Sequence, residues 1–209
     1  MDLYYGVMSG NSTRTLFAVH EAGLPYTPHA FDAPNGANRQ APYLSLNPMG
    51  KVPALVDGDV HLWESNAINW YLAEKHPETG LLPSSLAGRA SVQRWLMFQA
   101  GHVTPACHTL IRAGSQRVQA YWKFSADPSV VGPARQELSR YLAVLEQALD
   151  GREWLEERFS LADIAHAPHL FLVSETGFDL AATPRVHDWL QRMWARPAWK
   201  EAAARALRG

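Results

Sequence analysis

The sequence predicts an α/β domain followed by an all-α domain. Residues 1–76 alternate short apolar runs with helical patterns, whereas apolar residues beyond residue 86 recur only at three- and four-residue spacing. The segment between them contains two prolines, a glycine and two serines, which is typical of a linker. We therefore predict domains at 1–76 and 87–209, joined by a linker at 77–86.

The N-terminal domain begins with an apolar strand at residues 2–8, followed by a turn. Ser12 and Thr13 are candidate N-caps for the first helix, which Gly23 ends. A second strand is predicted at residues 26–31.

A hairpin gives the predicted sheet its mixed character. Strands at 52–56 and 60–63 flank Asp57-Gly58, a dipeptide that tolerates the positive φ angles of tight turns. A helical turn at 42–46 precedes the hairpin, and Ser65 is predicted to cap the helix that follows it. The order β-α-β-α-β-β-α predicts a mixed sheet, because a purely parallel sheet would contain no hairpin.

The second domain is predicted to be helical throughout and rich in aromatic residues, because most of the eight tryptophans lie in it. Pro184 suits the first turn of a helix, where its missing N–H is not needed. The predicted helices cover residues 87–113, 138–149, 161–174 and 184–196.

Composition excludes several classes of function. The net charge is −1 and neither sign forms a long run, so no nucleic-acid partner or anionic membrane surface is expected. No signal peptide or transmembrane stretch is predicted. Cys107 is the only cysteine, which excludes an internal disulfide and a cysteine-based zinc cluster. These features predict a cytoplasmic protein.

The segment from residue 47 to residue 65 contains a candidate peptide-binding site. Pro53 cannot donate to a sheet ladder, so it must lie at a strand start or edge. A cis Val52-Pro53 bond would turn the Val52 backbone outward to pair with a peptide, although only about 5% of X-Pro bonds are cis. Ser65 would lie at a helix N-terminus, which is a place for a cap and also for a bound carboxylate.

Taken together, N-P-M-G-K-V-P-A-L followed by W-E-S-N-A-I resembles the glutathione-binding segment of the cytosolic glutathione transferases. That family has a thioredoxin-like N-terminal domain followed by an all-helical domain. The resemblance implies that Pro53 is cis and that Val52 pairs with the cysteinyl backbone of glutathione. It also implies that Glu64 and Ser65 hold the γ-glutamyl end, and that Lys51 lies near the glycyl or cysteinyl part.

The run L-Y-Y-G-V-M-S-G-N-S-T-R at residues 3–14 resembles the phi class of that family, which implies that Ser9 contacts the thiol. A cysteine thiol with a pKa of ~8.5 is only about 3% ionised at pH 7. Lowering this pKa by about two units requires ~2.7 kcal/mol. A hydroxyl hydrogen bond of roughly 1.5–3 kcal/mol and a helix dipole of ~0.3–1 kcal/mol supply that amount. The alternative is a serine that only shapes the turn.

Asn11 and Ser12 compete with Ser9 for this role. A nu-like bacterial class uses a Thr-x-Asn arrangement that Ser9-Gly10-Asn11 could imitate. Such an arrangement would favour a glutathione-dependent disulfide or peroxide reductase.

Two further sets of ligand contacts follow from the resemblance. In the phi class a His-Lys pair binds the glycyl carboxylate. The residues that align with this pair here are Asn38 and Arg39, so both residue types differ from the phi-class pattern. The long helix at 87–113 resembles the family's helix four, which lines the hydrophobic-substrate pocket. The residues predicted for that pocket are Gly10, His102, Val103, Thr104 and His108, with an interface or surface role as the alternative for the two histidines.

Residues 159–164 contain a capping box, in which Ser160 is the N-cap, Asp163 returns to it and Phe159 forms a hydrophobic staple. The box resembles the one that opens helix six in the family. Asp163, His166 and His169 are also spaced like metal ligands. Three-residue steps turn around a helix and Asp163 is engaged as a cap, so we predict no metal.

The sequence therefore predicts a transferase that conjugates glutathione, as co-substrate, to small hydrophobic electrophiles. The alternatives are the reductase and a non-catalytic binding protein of the same fold. A homodimer is also predicted, since two helices carry more apolar residues than one buried stripe needs. Those residues are Ala67, Ile68, Tyr71, Leu72, Trp95, Leu96, Phe98 and Val103.

Overall fold

A computed structural model describes residues 1–31, 35–123 and 127–207. The chain divides into two compact units. The N-terminal unit consists of Met1–Leu81 together with the segment from Pro197 onward, and the helical unit consists of Leu82–Arg196. The boundary after Leu81 falls inside the predicted linker, whereas the segment from Pro197 had been expected in the helical domain.

The N-terminal unit contains a four-stranded mixed sheet in the order β2-β1-β3-β4. β1 runs parallel to β2 and antiparallel to β3, and β3 and β4 form the predicted hairpin. Leu3 of β1 lies opposite Leu55 of β3, and both side chains are fully buried in the core. The elements are β1 (Asp2–Gly6), α1 (Gly10–Glu21), β2 (Thr27–Phe31), α2 (Ala41–Leu44), β3 (Ala54–Asp57), β4 (Val60–Trp63) and α3 (Ser65–Lys75).

The helical unit confirms the second half of the predicted fold, with differences at helix ends. The predicted helix at 87–113 consists of two α-helices joined by a π-helical turn at Gln99–Val103. The helix predicted at 161–174 has those limits in the structure. The helices are α4 (Leu86–Phe98), α5 (Thr104–Gly114), α6 (Gln116–Trp122), α7 (Val131–Ala148), α8 (Leu161–Ser174) and α9 (Pro184–Ala195).

The last helix, α10 (Pro197–Ala206), packs against α1 in the N-terminal unit. Trp199 meets Phe17 edge to face at 5.6 Å between ring centroids, and both rings are buried. The N–H of Met8 donates to the carbonyl oxygen of Ala206 at 2.7 Å. A helical period predicts a helix and its buried face but not the unit it packs on, which is why the sequence placed α10 with the other helices.

Most of the apolar residues from which the dimer was predicted are buried within one chain. Ile68, Leu72, Trp95, Leu96 and Val103 are each at most 7% exposed. They therefore belong to the core and do not form an exposed patch. Within the described ranges, no helix combines the length and the apolar character that crossing a bilayer requires.

Candidate glutathione site

Ser9 is the N-cap of α1 and is half-buried. Its Oγ accepts a hydrogen bond from the Ser12 N–H at 3.2 Å, and its carbonyl oxygen accepts two from Thr13 at 2.9 Å. The prediction that Ser12 or Thr13 caps this helix was wrong. Met8, the residue before Ser9, has a positive φ of 53°. The chain therefore turns at Met8, and Ser9 becomes the residue with extended backbone that directly precedes the helix.

Ser12 lies in the first turn of α1 and is fully buried. Its Oγ accepts a hydrogen bond from the Gly6 N–H at 2.9 Å, which ties the end of β1 to the helix. This contact gives the Ser12 hydroxyl a structural role. Ser9 and Asn11 remain as the half-buried candidates at this helix start.

The Val52-Pro53 peptide bond is cis, as predicted. Both residues precede β3, whose ladder with β1 begins at Ala54, so the Val52 backbone lies outside the paired register. A Cβ atom at Gly6 would approach Val52 Cγ2 to 2.6 Å. Gly6 is therefore required for the close approach of Val52 to the end of β1, a constraint that was not predicted from the sequence.

Three side chains hold the backbone just before Val52. Tyr43 Oη and Asn47 Nδ2 donate to the Lys51 carbonyl oxygen at 2.6 Å and 2.7 Å. Asn38 Nδ2 donates to the Gly50 carbonyl oxygen at 2.5 Å. Burial raises the pKa of Tyr43 far above its usual value, so its phenol remains a donor. These roles of Tyr43 and Asn47 were not predicted from the sequence, although Asn47 begins the N-P-M-G-K-V-P-A-L motif.

The predicted carboxylate ligands thus differ in their surroundings. Asn38 is buried and its amide group holds the loop, whereas Arg39 and Lys51 are exposed. An exposed cation can reach a bound carboxylate, and a buried amide already engaged with Gly50 has less capacity to do so.

The start of α3 has no side-chain cap. The N-cap residue is Glu64, which is exposed and has φ 70° and ψ 112°. Ser65 is therefore the first helical residue, and the prediction that it caps α3 was wrong. An uncapped helix start offers N–H groups and the positive end of the helix dipole to an anion.

Arg14 of α1 contacts both candidate regions and is buried. Its Nη1 donates to Asn11 Oδ1 at 3.1 Å and to Ser65 Oγ at 2.7 Å. Arg14 ends the L-Y-Y-G-V-M-S-G-N-S-T-R run, but no role for it was predicted from the sequence. A charged residue between the small polar residues of the first turn and the apolar run at residues 16–19 was the available signal.

The residues predicted for the hydrophobic-substrate pocket have mixed positions. Gly10 is buried in the N-terminal unit, and Val103 is buried in the helical unit. Exposed His102 lies 5.5 Å from Tyr141 between ring centroids. Thr104 accepts a hydrogen bond from Gln99, and exposed His108 lies 3.0 Å from His169 between Nε2 atoms.

The capping box of α8 forms as predicted. Asp163 Oδ2 accepts hydrogen bonds from the Ser160 N–H at 2.9 Å and from the Ser160 hydroxyl at 3.3 Å. Its Oδ1 accepts from the Leu155 N–H at 3.0 Å and from Trp189 Nε1 at 2.9 Å. Among the described residues, no three His, Cys, Asp or Glu side chains are placed to hold a metal ion.

Two family models match the chain. Residues 1–74 match the N-terminal domain of glutathione S-transferase, and residues 111–197 match its C-terminal domain. The chain is 34% identical to glutathione S-transferase F10 of Arabidopsis thaliana, over 96% of this chain and 95% of that protein.

Solved structures agree with these matches. Glutathione transferase F7 from Populus trichocarpa is 30% identical with a TM-score of 0.89, and the match covers 97% of each chain. A theta class glutathione S-transferase from Xanthomonas axonopodis pv. citri, solved with glutathione bound, is 28% identical with a TM-score of 0.88. That match covers 99% of this chain and 98% of the other. The chain therefore belongs to the glutathione S-transferase family.

Proposed function

We propose that this protein is a glutathione transferase that conjugates glutathione to small hydrophobic electrophiles. The observation that carries the proposal is the half-buried Ser9 hydroxyl at the start of α1. Because Ser9 Oγ accepts the Ser12 N–H, its own hydrogen is left to be donated to a sulfur anion. Family membership supports glutathione as the source of that sulfur.

The Ser9 hydroxyl and the positive end of α1 act in the same direction. Both favour the thiolate over the thiol, so both lower the pKa of a thiol bound at this helix start. The thiolate then attacks the electrophilic carbon. A new C–S bond forms, and the electron pair leaves with the displaced group or moves into the electrophile's π-system.

The remaining ligand contacts follow the chemistry of each residue. The Val52 backbone pairs with the cysteinyl backbone, and Glu64 and Ser65 hold the γ-glutamyl amine and carboxylate. Exposed Lys51 and Arg39 attract the glycyl carboxylate, with Asn38 supporting the loop. In the helical unit, the candidates for contact with the second substrate are His102, Thr104 and His108, whose side chains are exposed or half-buried. Val103 of the same unit and Gly10 of the N-terminal unit are buried candidates.

Replacing Ser9 with alanine tests this proposal. Ser9→Ala should lower kcat/KM for conjugation of 1-chloro-2,4-dinitrobenzene by well over ~10-fold while glutathione affinity is retained. The ultraviolet absorbance of bound thiolate should show a raised thiol pKa. Ser9→Ala also removes a helix cap, which costs about 1 kcal/mol.

Ser85→Ala is the matched control, because Ser85 caps α4 through the Gly88 N–H at 3.1 Å. It should lose similar stability and keep the thiol pKa. A wild-type thiol pKa in Ser9→Ala would move the role from Ser9 to Asn11.

A glutathione-dependent reductase is the second candidate, and the half-buried Asn11 beside Arg14 favours it. In that case Asn11→Ala would abolish turnover of a disulfide or hydroperoxide and Ser9→Ala would lower it, because both residues belong to that arrangement. Measuring both substrates with both variants separates the two reactions.

We also propose a homodimer in the cytoplasm. On α4, Leu86 is 85% exposed and Met97 is 57% exposed, so these residues replace the buried ones as candidates for an interface. Light scattering at micromolar concentration should give about twice the 23.3 kDa chain mass. A value near the single-chain mass would exclude the dimer.

The single cysteine, which is buried, fits a reducing compartment.

A further inference from the structure

A buried arginine connects the two helix starts proposed to bind glutathione. Arg14 belongs to α1 and is only 3% exposed. Its Nη1 lies 3.1 Å from Asn11 Oδ1 and 2.7 Å from Ser65 Oγ. Asn69 of α3 donates from Nδ2 to the Arg14 carbonyl oxygen at 3.3 Å. One residue therefore contacts the first turn of α1 and the first residue of α3.

The direction of these hydrogen bonds is determined by the guanidinium, which can only donate. Ser65 must accept through its oxygen, so its hydroxyl hydrogen is left to be donated to another group. Asn11 must turn Oδ1 toward Arg14, so the two N–H bonds of Nδ2 are left to be donated elsewhere. Arg14 thus makes both side chains donors toward a second partner.

We propose that Arg14 is a positioning residue that fixes Asn11 and Ser65 as hydrogen-bond donors to two anionic groups of bound glutathione. Asn11 faces the thiolate and Ser65 faces the γ-glutamyl carboxylate. The inference rests on the proposed function and adds a residue to it. Arg14 acts through the two side chains it touches and need not itself contact the ligand.

The charge of Arg14 acts in the same direction as its hydrogen bonds. A guanidinium stays protonated in proteins, and burial reduces the screening of its field. A positive charge behind two donors strengthens their hydrogen bonds to anions. A residue needed only to fill this space would not require a charge.

The test uses Arg14→Met and Arg14→Lys in the full-length chain. The pKa of the bound thiol is measured by thiolate absorbance, and Kd is measured for two peptides. One is glutathione and the other is 4-aminobutyryl-cysteinyl-glycine, which lacks the γ-glutamyl carboxylate. Arg14→Met should raise the thiol pKa by about one unit and weaken glutathione binding roughly tenfold, as expected for loss of a hydrogen bond to a charged group. Measured at a pH where the bound thiol is protonated in both proteins, binding of the analogue should change by less than about twofold, since it lacks the carboxylate that Ser65 recognises.

Two further variants give the comparison its controls. Arg205→Gln removes one positive charge from exposed Arg205 of α10 in the same unit and should leave the thiol pKa and both Kd values unchanged. In Arg14→Met/Ser65→Ala, the loss of glutathione binding should be smaller than the sum of the two single losses, because part of the Arg14 effect acts through the Ser65 hydroxyl.

A folded Arg14→Met protein with the wild-type thiol pKa and the wild-type ratio of the two Kd values would overturn the inference. If Arg14→Met does not fold, Arg14→Lys decides, because lysine keeps the charge but its Nζ ends one bond short of the Nη1 position that contacts both partners. Wild-type values in Arg14→Lys would then overturn it. Absence of conjugation by the wild-type protein would instead count against the proposed function.

Discussion

Two helix starts in this protein carry a serine and an acidic residue, yet they are built in opposite ways. At α8, Ser160 is the N-cap, and Asp163 accepts four hydrogen bonds from groups in its own unit. At α3, Glu64 occupies the N-cap position without a side-chain cap, and Ser65 accepts a hydrogen bond from Arg14. The same residue types therefore form a closed structural cap at one site and an open helix start at the other.

The difference shows how to separate a folding device from a binding site. A helix start whose side chains are occupied by its own chain has little capacity left for a ligand. A start with an uncapped residue in a sparsely populated backbone region keeps that capacity, and such strain is concentrated at functional sites. Glu64, with φ 70° and ψ 112°, meets this description.

The largest effect is expected at the closed start. Asp163→Ala should lower the free energy of unfolding by about 3–5 kcal/mol, because buried donors from Leu155, Ser160 and Trp189 lose their acceptor. Urea denaturation measures the loss. Glutathione affinity of the folded fraction should be unchanged, and a selective loss of binding would contradict the structural role.

Asp163 also predicts a pH dependence. Burial raises its pKa from 3.8 to about 6, against the lowering effect of its donors. The native state then holds the proton at pH values where the unfolded chain has released it, so this residue's contribution to stability falls as pH rises from about 4 to about 6. The stability difference between wild type and Asp163→Asn should fall by roughly 2–3 kcal/mol over that range. A difference that rises with pH would contradict the raised pKa.

The next largest effect comes from one substitution made at both starts. Ser160→Ala should lower the free energy of unfolding by about 1 kcal/mol and leave the glutathione Kd unchanged. Ser65→Ala should raise that Kd several-fold, by the loss of a hydrogen bond of roughly 1.5–3 kcal/mol to a charged group. It should cost less helix stability than Ser160→Ala, since Ser65 is not the cap. Calorimetric titration and thermal unfolding of both variants test the pair, and equal effects at the two sites would remove the distinction.

The smallest effect on stability is expected for Glu64→Gly. Glycine adopts positive φ without steric cost, so the free energy of unfolding should stay constant or rise by up to about 1 kcal/mol. Glutathione binding should weaken, because the carboxylate proposed to face the γ-glutamyl amine is lost. Glu64→Gln keeps the backbone constraint and removes only the charge. It should weaken binding without the gain in stability, and a large loss of stability in Glu64→Gly would argue against strain at this residue.

Much of the fold was predictable because it depends on local patterns. The hairpin at Asp57-Gly58, the limits of α8 and its capping box each depend on residues close in sequence. The assignment of caps at α1 and α3 failed because a cap is defined by one residue's backbone angles. Met8 and Glu64 both adopt a positive φ, which is uncommon for residues other than glycine and is not predicted by either residue type.

The candidate site was predictable only where a motif lies along the chain. Residues 47–65 contain such a motif, which predicted a cis peptide bond between Val52 and Pro53. The structure confirmed that bond. The sequence did not predict the roles of Arg14, Tyr43 and Gly6, because their partners lie far away along the chain. Arg14 and Ser65, for example, are 51 residues apart. Proximity of that kind is created by packing.

The sequence by itself determined the order of strands and helices, the family motif and the absence of a second cysteine, because each is a property of neighbouring residues or of composition. Only the tertiary structure decided that Ser9 caps α1, that α10 packs on α1, and that one buried guanidinium contacts both Asn11 and Ser65. The physical reason is that hydrogen-bond direction and burial depend on where distant segments meet. The packing of α1 against α3 therefore determines the hydrogen bonds that Asn11, Arg14 and Ser65 make.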